Sequence, residues 1–445
     1  MGIPLGLEHA CEHVNALSDE ADVVIIGGGI IGVCTAYYLA KQGLKPLLLE
    51  KGRVAAEQSA RNWGWIRKTA RDYAELPIVI EAQQLWEELA EECDTDIGVK
   101  RAGVTFLPES EKQLADYEAW QRDFGAVAGT EMLSAVQVRA MFPDAINPWR
   151  GAMHTSDDMV AEPFVAVPAI ACAAVKLGAV IREGCAVRGL ERAGGAVSGV
   201  VTEAGAVKTS RVLVAAGAWS SLFLRREGLS IPQLSVRSNV MHTKPMPNFF
   251  DGAAGEDNMA FRRRADGGYT MASLGFNELW IGPDAFRALP YYRQLLLGGS
   301  FPIKPRFGAP KGWPDSWTTK RNWKLDEESP FERLRVLDPE PNHAALDRML
   351  GKFAERFPSV GKPVEARRWA GMIDAMPDVV PIVDTAPIEG LTICTGMCGH
   401  GFGIGPAFGR IMADMIAGRE IDHDLSRFAL ARFDTYAKLE LGPDV

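Results

Sequence analysis

No apolar run in the sequence approaches the roughly 18 residues that a membrane-spanning helix requires, so no transmembrane segment is expected. Basic charge is not in excess. The 48 Lys and Arg stand against 57 Asp and Glu, a net charge of -9, which argues against a general nucleic-acid binder. The first twenty residues carry Glu8, Glu12, Asp19 and Glu20 but no Lys or Arg. A secretory signal opens on positive charge, so residues 1–19 read instead as a loosely packed N-terminal arm. Cysteine is sparse and unpatterned, with seven residues at 11, 34, 93, 172, 185, 394 and 398. An odd number scattered along so long a chain is no disulfide framework. The closest pair, Cys394 and Cys398, has no second pair to complete a zinc set. No metal is expected, both thiols read as buried, and the expected compartment is the cytoplasm.

What is present begins with ordinary soluble composition, 47% apolar and 24% charged. At 445 residues the chain exceeds the usual size of one core, so two domains are expected. The most informative stretch is residues 22–52. Val23-Val24-Ile25-Ile26 suits a buried parallel strand. Gly27-Gly28-Gly29-Ile30-Ile31-Gly32 then matches G-x-G-x-x-G: the first glycine for a tight turn, the second for close approach to a pyrophosphate, the last for helix packing. Val33 to Gln42 has helical composition and Gly43 stands as its stop. Leu47-Leu48-Leu49 reads as the next strand, and Glu50 at its end is placed to accept from ribose hydroxyls. The complete strand–glycines–helix–strand–acid order points to the ADP half of a dinucleotide.

The same order serves NAD and FAD. Lys51 follows Glu50, and Ser59-Ala60-Arg61-Asn62-Trp63-Gly64-Trp65 supplies a small, polar stretch whose amides and hydroxyls suit phosphates and ribityl oxygens. Far along the chain, Gly399-His400-Gly401-Phe402-Gly403-Ile404-Gly405 reads as a glycine-dense loop able to approach a planar ring. A helix from about Pro406 to Gly418 would point its N-terminus at whatever the loop holds. These motifs resemble the D-amino-acid oxidase superfamily of flavoproteins, which includes glycine oxidase, monomeric sarcosine oxidase and the D-amino-acid dehydrogenases. Ala216-Gly217-Ala218-Trp219 after the apolar run Val212-Leu213-Val214, and Trp369-Ala370-Gly371-Met372-Ile373, carry the resemblance further, so that it spans residues 22–418.

The resemblance implies an α/β fold: a discontinuous Rossmann-like FAD-binding domain at 20–98, 160–232 and 366–432, and a substrate domain with a mainly antiparallel sheet at 99–159 and 233–365. It implies FAD as cofactor and places Val187 against the adenine. It implies oxidation of the C–N bond of a small amino acid (a D-amino acid, a secondary amino acid or an imino diacid) to an imine that hydrolyses, with oxygen or a redox partner as acceptor. Such chemistry asks for a carboxylate anchor and a dry pocket rather than a protein nucleophile. Arg67 matches the family's anchoring arginine. His400 is the histidine expected nearest the flavin, and His242 and Arg263 are further candidates on substrate-domain strands. Gly371 stands where sarcosine oxidases carry the flavin-linking cysteine, so noncovalent FAD is implied. Gly403 stands where they carry a lysine for the carboxylate, which argues against sarcosine itself as substrate, and Thr270 stands near their oxygen-activating lysine, which favours a dehydrogenase slightly. The alternatives are oxidation of a hydroxy acid or polyol phosphate, and a flavin subunit of a larger complex. Residues 301–325, basic and rich in tryptophan, read as a surface insertion anchored by Trp313, Trp317 and Trp323, serving as a lid or a contact in a homo-oligomer.

Overall fold

The computed structural model describes residues 12–298, 303–434 and 439–442, the side chains of residues 275, 276 and 298 excepted. Two sheets organise it. The first has six strands in the order Ile382–Thr385, Leu391–Thr395, Val212–Val214, Val23–Ile26, Pro46–Leu49, Val180–Arg182, all parallel except the first. Its central strand, Val23–Ile26, is apolar at every position because both faces are covered. On one face lie the helices Ile30–Lys41 and Gly401–Ala417. Ile30–Lys41 begins at the expected glycines and stops before Gly43, whose φ of +87° ends it as a left-handed residue.

The second sheet is mixed but mainly antiparallel, running Glu365–Ala375, Leu234–Thr243, Tyr269–Ile281, Met259–Arg263, Ala253–Glu256, Val104–Phe106, Gly151–Thr155, Thr130–Ser134. The helix His343–Arg356 packs on two of its strands, over a core containing Phe261, Phe353 and Phe357. The helix Glu111–Ala128 packs on the strands at its other end. Residues 366–375 pair along the edge of this sheet, antiparallel to Leu234–Thr243, and the chain rejoins the parallel sheet only at Ile382.

Three expectations need correcting. Residues 12–20 are not loosely packed: the Glu12 and His13 amides donate to Glu183, Asn15 donates to the Ile181 carbonyl, and Val14 bridges Arg182. Residues 1–11 of the arm, with Cys11, lie outside the described residues. The prolines of the 301–325 segment (302, 305, 310 and 314) read as interruptions of regular structure, yet Pro305 sits in Ile303–Phe307, an edge strand parallel to Tyr269–Ile281, where a proline's missing donor can face away from the ladder; Phe301 and Pro302 lie outside the described residues. Of the three expected anchors, Trp323 is buried and donates to the Arg188 carbonyl and Trp313 packs on Trp280, but Trp317 is 59% exposed.

Candidate active site

A cavity of about 1420 Å³ runs from the glycine turn, between the two sheets, to the helix Glu111–Ala128. At its first end Gly27 has φ +115°, and a Cβ there would lie 2.4 Å from the Ala215 carbonyl oxygen. Gly28 donates to Glu50 Oε2 at 2.8 Å and Gly52 to Glu50 Oε1 at 2.7 Å. Burial raises the Glu50 pKa, against the lowering effect of Lys51 and the two amides. Each carboxylate oxygen has a second lone pair, which leaves acceptors for hydroxyl groups. Ile30 N donates to Ser59 Oγ at 2.9 Å, tying the polar loop to the helix start. Lys51 spans Glu57 and the Arg335 carbonyl and lies over the Trp219 ring.

The middle is walled by the 59–65 loop and by Gly217, with Val187 and Ala216 also on the lining. Asn62 holds the loop's turn, accepting from Gly64 N at 2.8 Å and donating to the Ser59 carbonyl. Arg61 lines the cavity while donating to the Ala56 and Ala370 carbonyls and pairing with Asp338. Gly32, Ala60, Gly64, Met372, Gly403 and Ile404, expected at the cofactor, do not line the cavity. Each is taken up by packing: a Cβ at Gly32 would lie 2.0 Å from the Gly27 oxygen, Gly64 abuts the Ala161 oxygen and Arg262, and Ala60, Met372 and Ile404 sit in apolar cores.

At the far end the expected glycine-dense loop is corrected. The helix begins at Gly401, with His400 as its N-cap, and Gly403 and Gly405 lie within its first turns. Of the run Gly399–Gly405 only Gly399 has positive φ. The helical glycines serve packing instead. A Cβ at Gly403 would lie 3.0 Å from the Trp65 oxygen and one at Gly405 2.5 Å from Ile30. Gly371, Gly399, His400, Gly401 and Phe402 line the cavity here, beside Ile373 and Asp374.

Asp374 escaped the sequence reading. It is buried, Oδ2 accepts from Gly396 N at 2.8 Å, Oδ1 has no partner, and burial pushes its pKa up to about 6. Also missed were Arg71 and Glu75, buried beneath His400. His400 Nδ1 lies 3.6 Å from Glu75 Oε2. Burial, then Arg71, drives His400 down to about 4, so it is neutral at pH 7. Burial raises the Glu75 pKa, but neighbouring positive charge, from His400 when it is protonated and from Arg71 and Arg67, brings it below the ordinary carboxylate value. Arg67 lines the cavity, as does Arg71. The outer wall, equally unforeseen, is aromatic: Phe106, Tyr117, Trp120 and Phe124, the last three from one face of Glu111–Ala128. The i, i+3, i+7 spacing of those three residues was the available signal.

His242 and Arg263 do not line this cavity. His242 packs edge-on against Trp369 and Phe164 and meets Arg264 at 2.6 Å. Arg263 donates to the Met246 carbonyl and lies over Tyr269. Strand alternation turns Arg263 away, whereas His242 shares the face of the cavity-lining Val236, Ser238 and Val240 but is shut off from the cavity by Trp369, Phe164 and Arg264, so neither reaches it.

The cavity fits FAD. One end offers amides and a ribose acceptor, the middle a polar loop, and the far end a helix N-terminus for a negatively charged ring edge. Buried polar atoms at the wall, Trp65 Nε1 and Arg71 Nη1, await a ligand. This architecture defines a dinucleotide-binding flavoenzyme. Residues 22–415 match the family described as FAD dependent oxidoreductase (DAO), and the chain belongs to it. It is thus an FAD-dependent oxidoreductase acting on the C–N bonds of amino acids. The structure of L-amino acid deaminase from Proteus myxofaciens, in complex with anthranilate, is 32% identical, with TM-score 0.89 and coverage of 95% of each chain. Glycine oxidase of Bacillus subtilis is 24% identical over 91% of this chain and 95% of its own length. Sarcosine oxidase subunit beta of Arthrobacter sp is 26% identical over 93% and 91%. Among the described residues no helix is long and apolar enough to cross a membrane.

Proposed function

We propose that the protein oxidises the Cα–N bond of an α-amino acid bearing a bulky apolar side chain, giving an imine that water hydrolyses to a 2-oxo acid. The observation that carries this reading is the composite cavity: a dinucleotide slot that continues into an aromatic chamber walled by Phe106, Tyr117, Trp120 and Phe124, with buried arginines where the two parts meet. The aromatic wall excludes water from the reacting carbon and offers area to a large side chain. FAD, when bound, accepts the two electrons and the hydrogen leaving the Cα as hydride. Noncovalent retention is supported by Gly371, which presents no thiol and whose missing Cβ leaves room against Arg61. The cofactor contacts fall to Gly28, Gly29, Glu50, Lys51, Ser59, Asn62 and Gly217 along the slot, and to the amides at Gly401 and Phe402 at the ring. The likeness to an L-amino acid deaminase supports the L-series, a departure from the small D-amino acids, secondary amino acids and imino diacids first expected.

Anaerobic mixing of the yellow protein with L- and D-phenylalanine, L-leucine, glycine, sarcosine, phenyllactate and glycerol phosphate tests the reading. Bleaching of the flavin band is expected with the bulky L-amino acids and weakest with glycine. Bleaching by phenyllactate or glycerol phosphate and by no amine would overturn it. Admitting air to the bleached protein separates an oxidase, which recolours at once, from an enzyme that needs a redox partner.

A further inference from the structure

Six arginines are buried among the described residues: Arg53, Arg61, Arg67, Arg71, Arg237 and Arg262. A buried guanidinium needs a counter-anion, because its charge cannot be left to water. Four of them have a carboxylate within ion-pair reach: Arg53 with Glu183, Arg61 with Asp338, Arg237 with Glu278 and Arg262 with Glu162. Arg67 and Arg71 pair with none, and both line the cavity. Of the two carboxylates whose charge reaches them, Asp158 is taken up by Lys68 N, Gln83 and the Thr69 hydroxyl, and Glu75 alone leaves the two guanidinium groups one negative charge short. His400, beside them, is neutral and supplies no charge.

Hydrogen bonding separates the two. Arg67 Nη1 donates to the Thr69 and Ala70 carbonyls, and its guanidinium rests on the Phe106 ring at 5.0 Å. Arg71 Nε donates to the Arg67 carbonyl at 3.3 Å, and Trp120 Nε1 holds the Arg71 carbonyl at 3.1 Å. Its Nη1 is buried and meets no acceptor. We propose that Arg71 receives the substrate's α-carboxylate, its guanidinium held by the backbone carbonyl of residue 67. The assignment rests on the amino-acid reading above and sharpens it. The anchor stands beside Trp120, so carboxylate and side chain are gripped by neighbouring parts of one wall.

Benzoate, an aromatic carboxylate with no hydride to give, is the probe, read by the change it causes in the flavin spectrum of the holoenzyme. Arg71→Ala is expected to raise the benzoate Kd about 100-fold, the loss of a charge-assisted pair, with flavin content unchanged. Added guanidinium chloride should restore much of the affinity to Arg71→Ala, which a merely structural role would not allow. Benzoate binding unchanged in Arg71→Ala, or lost together with the flavin, overturns the assignment. Failure of the broader reading looks different: the wild-type flavin is then neither perturbed by benzoate nor bleached by any amino acid.

Discussion

Five residues other than glycine adopt positive φ among the described residues, and four of them, Ala55, Ala70, Val379 and Cys398, line the cavity. A β-branched residue such as Val379 at +60° is held there against its own preference. Strain thus collects at the site rather than at the surface. Individual titrating groups make a second residue-scale point. His242 sits outside the cavity, and burial, reinforced by Arg264 and Arg262, lowers it from 6.5 to about 2. It is neutral in the folded chain, whereas the unfolded chain binds a proton there below pH 6.5. Its presence therefore costs stability progressively as pH falls from 6.5 towards 2, by up to about 1.4 kcal/mol per pH unit. His242→Gln keeps an acceptor for Arg264 and removes that proton. Thermal unfolding between pH 7 and pH 4.5 should show the variant losing less stability than wild type on acidification. Parallel curves would show that His242 is not buried as a neutral base.

The helices Ile30–Lys41 and Gly401–Ala417 meet closely where they cross. A Cβ at Gly405 would lie 2.5 Å from Ile30, and one at Gly409 would lie 2.4 Å from Cys34. Both positions are full, so one added methyl forces the helices apart. Gly409→Ala should lower stability by about 1–3 kcal/mol, the usual cost of overpacking a core, measured by thermal unfolding. It should also weaken FAD retention on dialysis, although residue 409 does not line the cavity. Normal retention with lowered stability would show that the helices separate without disturbing the site. This crossing also explains the misplaced helix start. Glycine is a poor helix former, so Gly401, Gly403 and Gly405 read as loop. What decided the matter was the missing Cβ at a tertiary contact, which no local propensity reports.

At the scale of the whole molecule, Arg61 is one of the side chains that tie the loop beside the first sheet to the second sheet. It reaches the Ala370 carbonyl on the second sheet's edge strand, and Trp369 on that strand donates back to the Arg61 carbonyl at 3.1 Å. Arg61→Met should destabilise by about 2 kcal/mol, from carbonyls left without donors. Calorimetry should then show broadening or two steps where wild type unfolds in one. A single sharp transition at the wild-type temperature would remove Arg61 from that role. The opening βαβ unit was legible because strand, glycines and acid lie within thirty residues and form one another's context. The cofactor followed from motifs far apart but each locally patterned. Arg71 was not legible, since four residues past Arg67 it resembles any surface arginine until burial and the lack of a carboxylate partner are seen. The aromatic chamber was equally hidden, because Phe106 and the helix carrying Tyr117 and Trp120 come together only through the second sheet.

The glycine contact between the two helices has a further consequence. One helix begins at the turn meant for phosphate, the other at the end meant for the ring, and their separation is set by Gly405 against Ile30 and Gly409 against Cys34. The spacing of the two ends of the cavity therefore depends on two missing Cβ atoms. A substitution at Gly405 or Gly409 would change that separation from positions that do not themselves line the cavity.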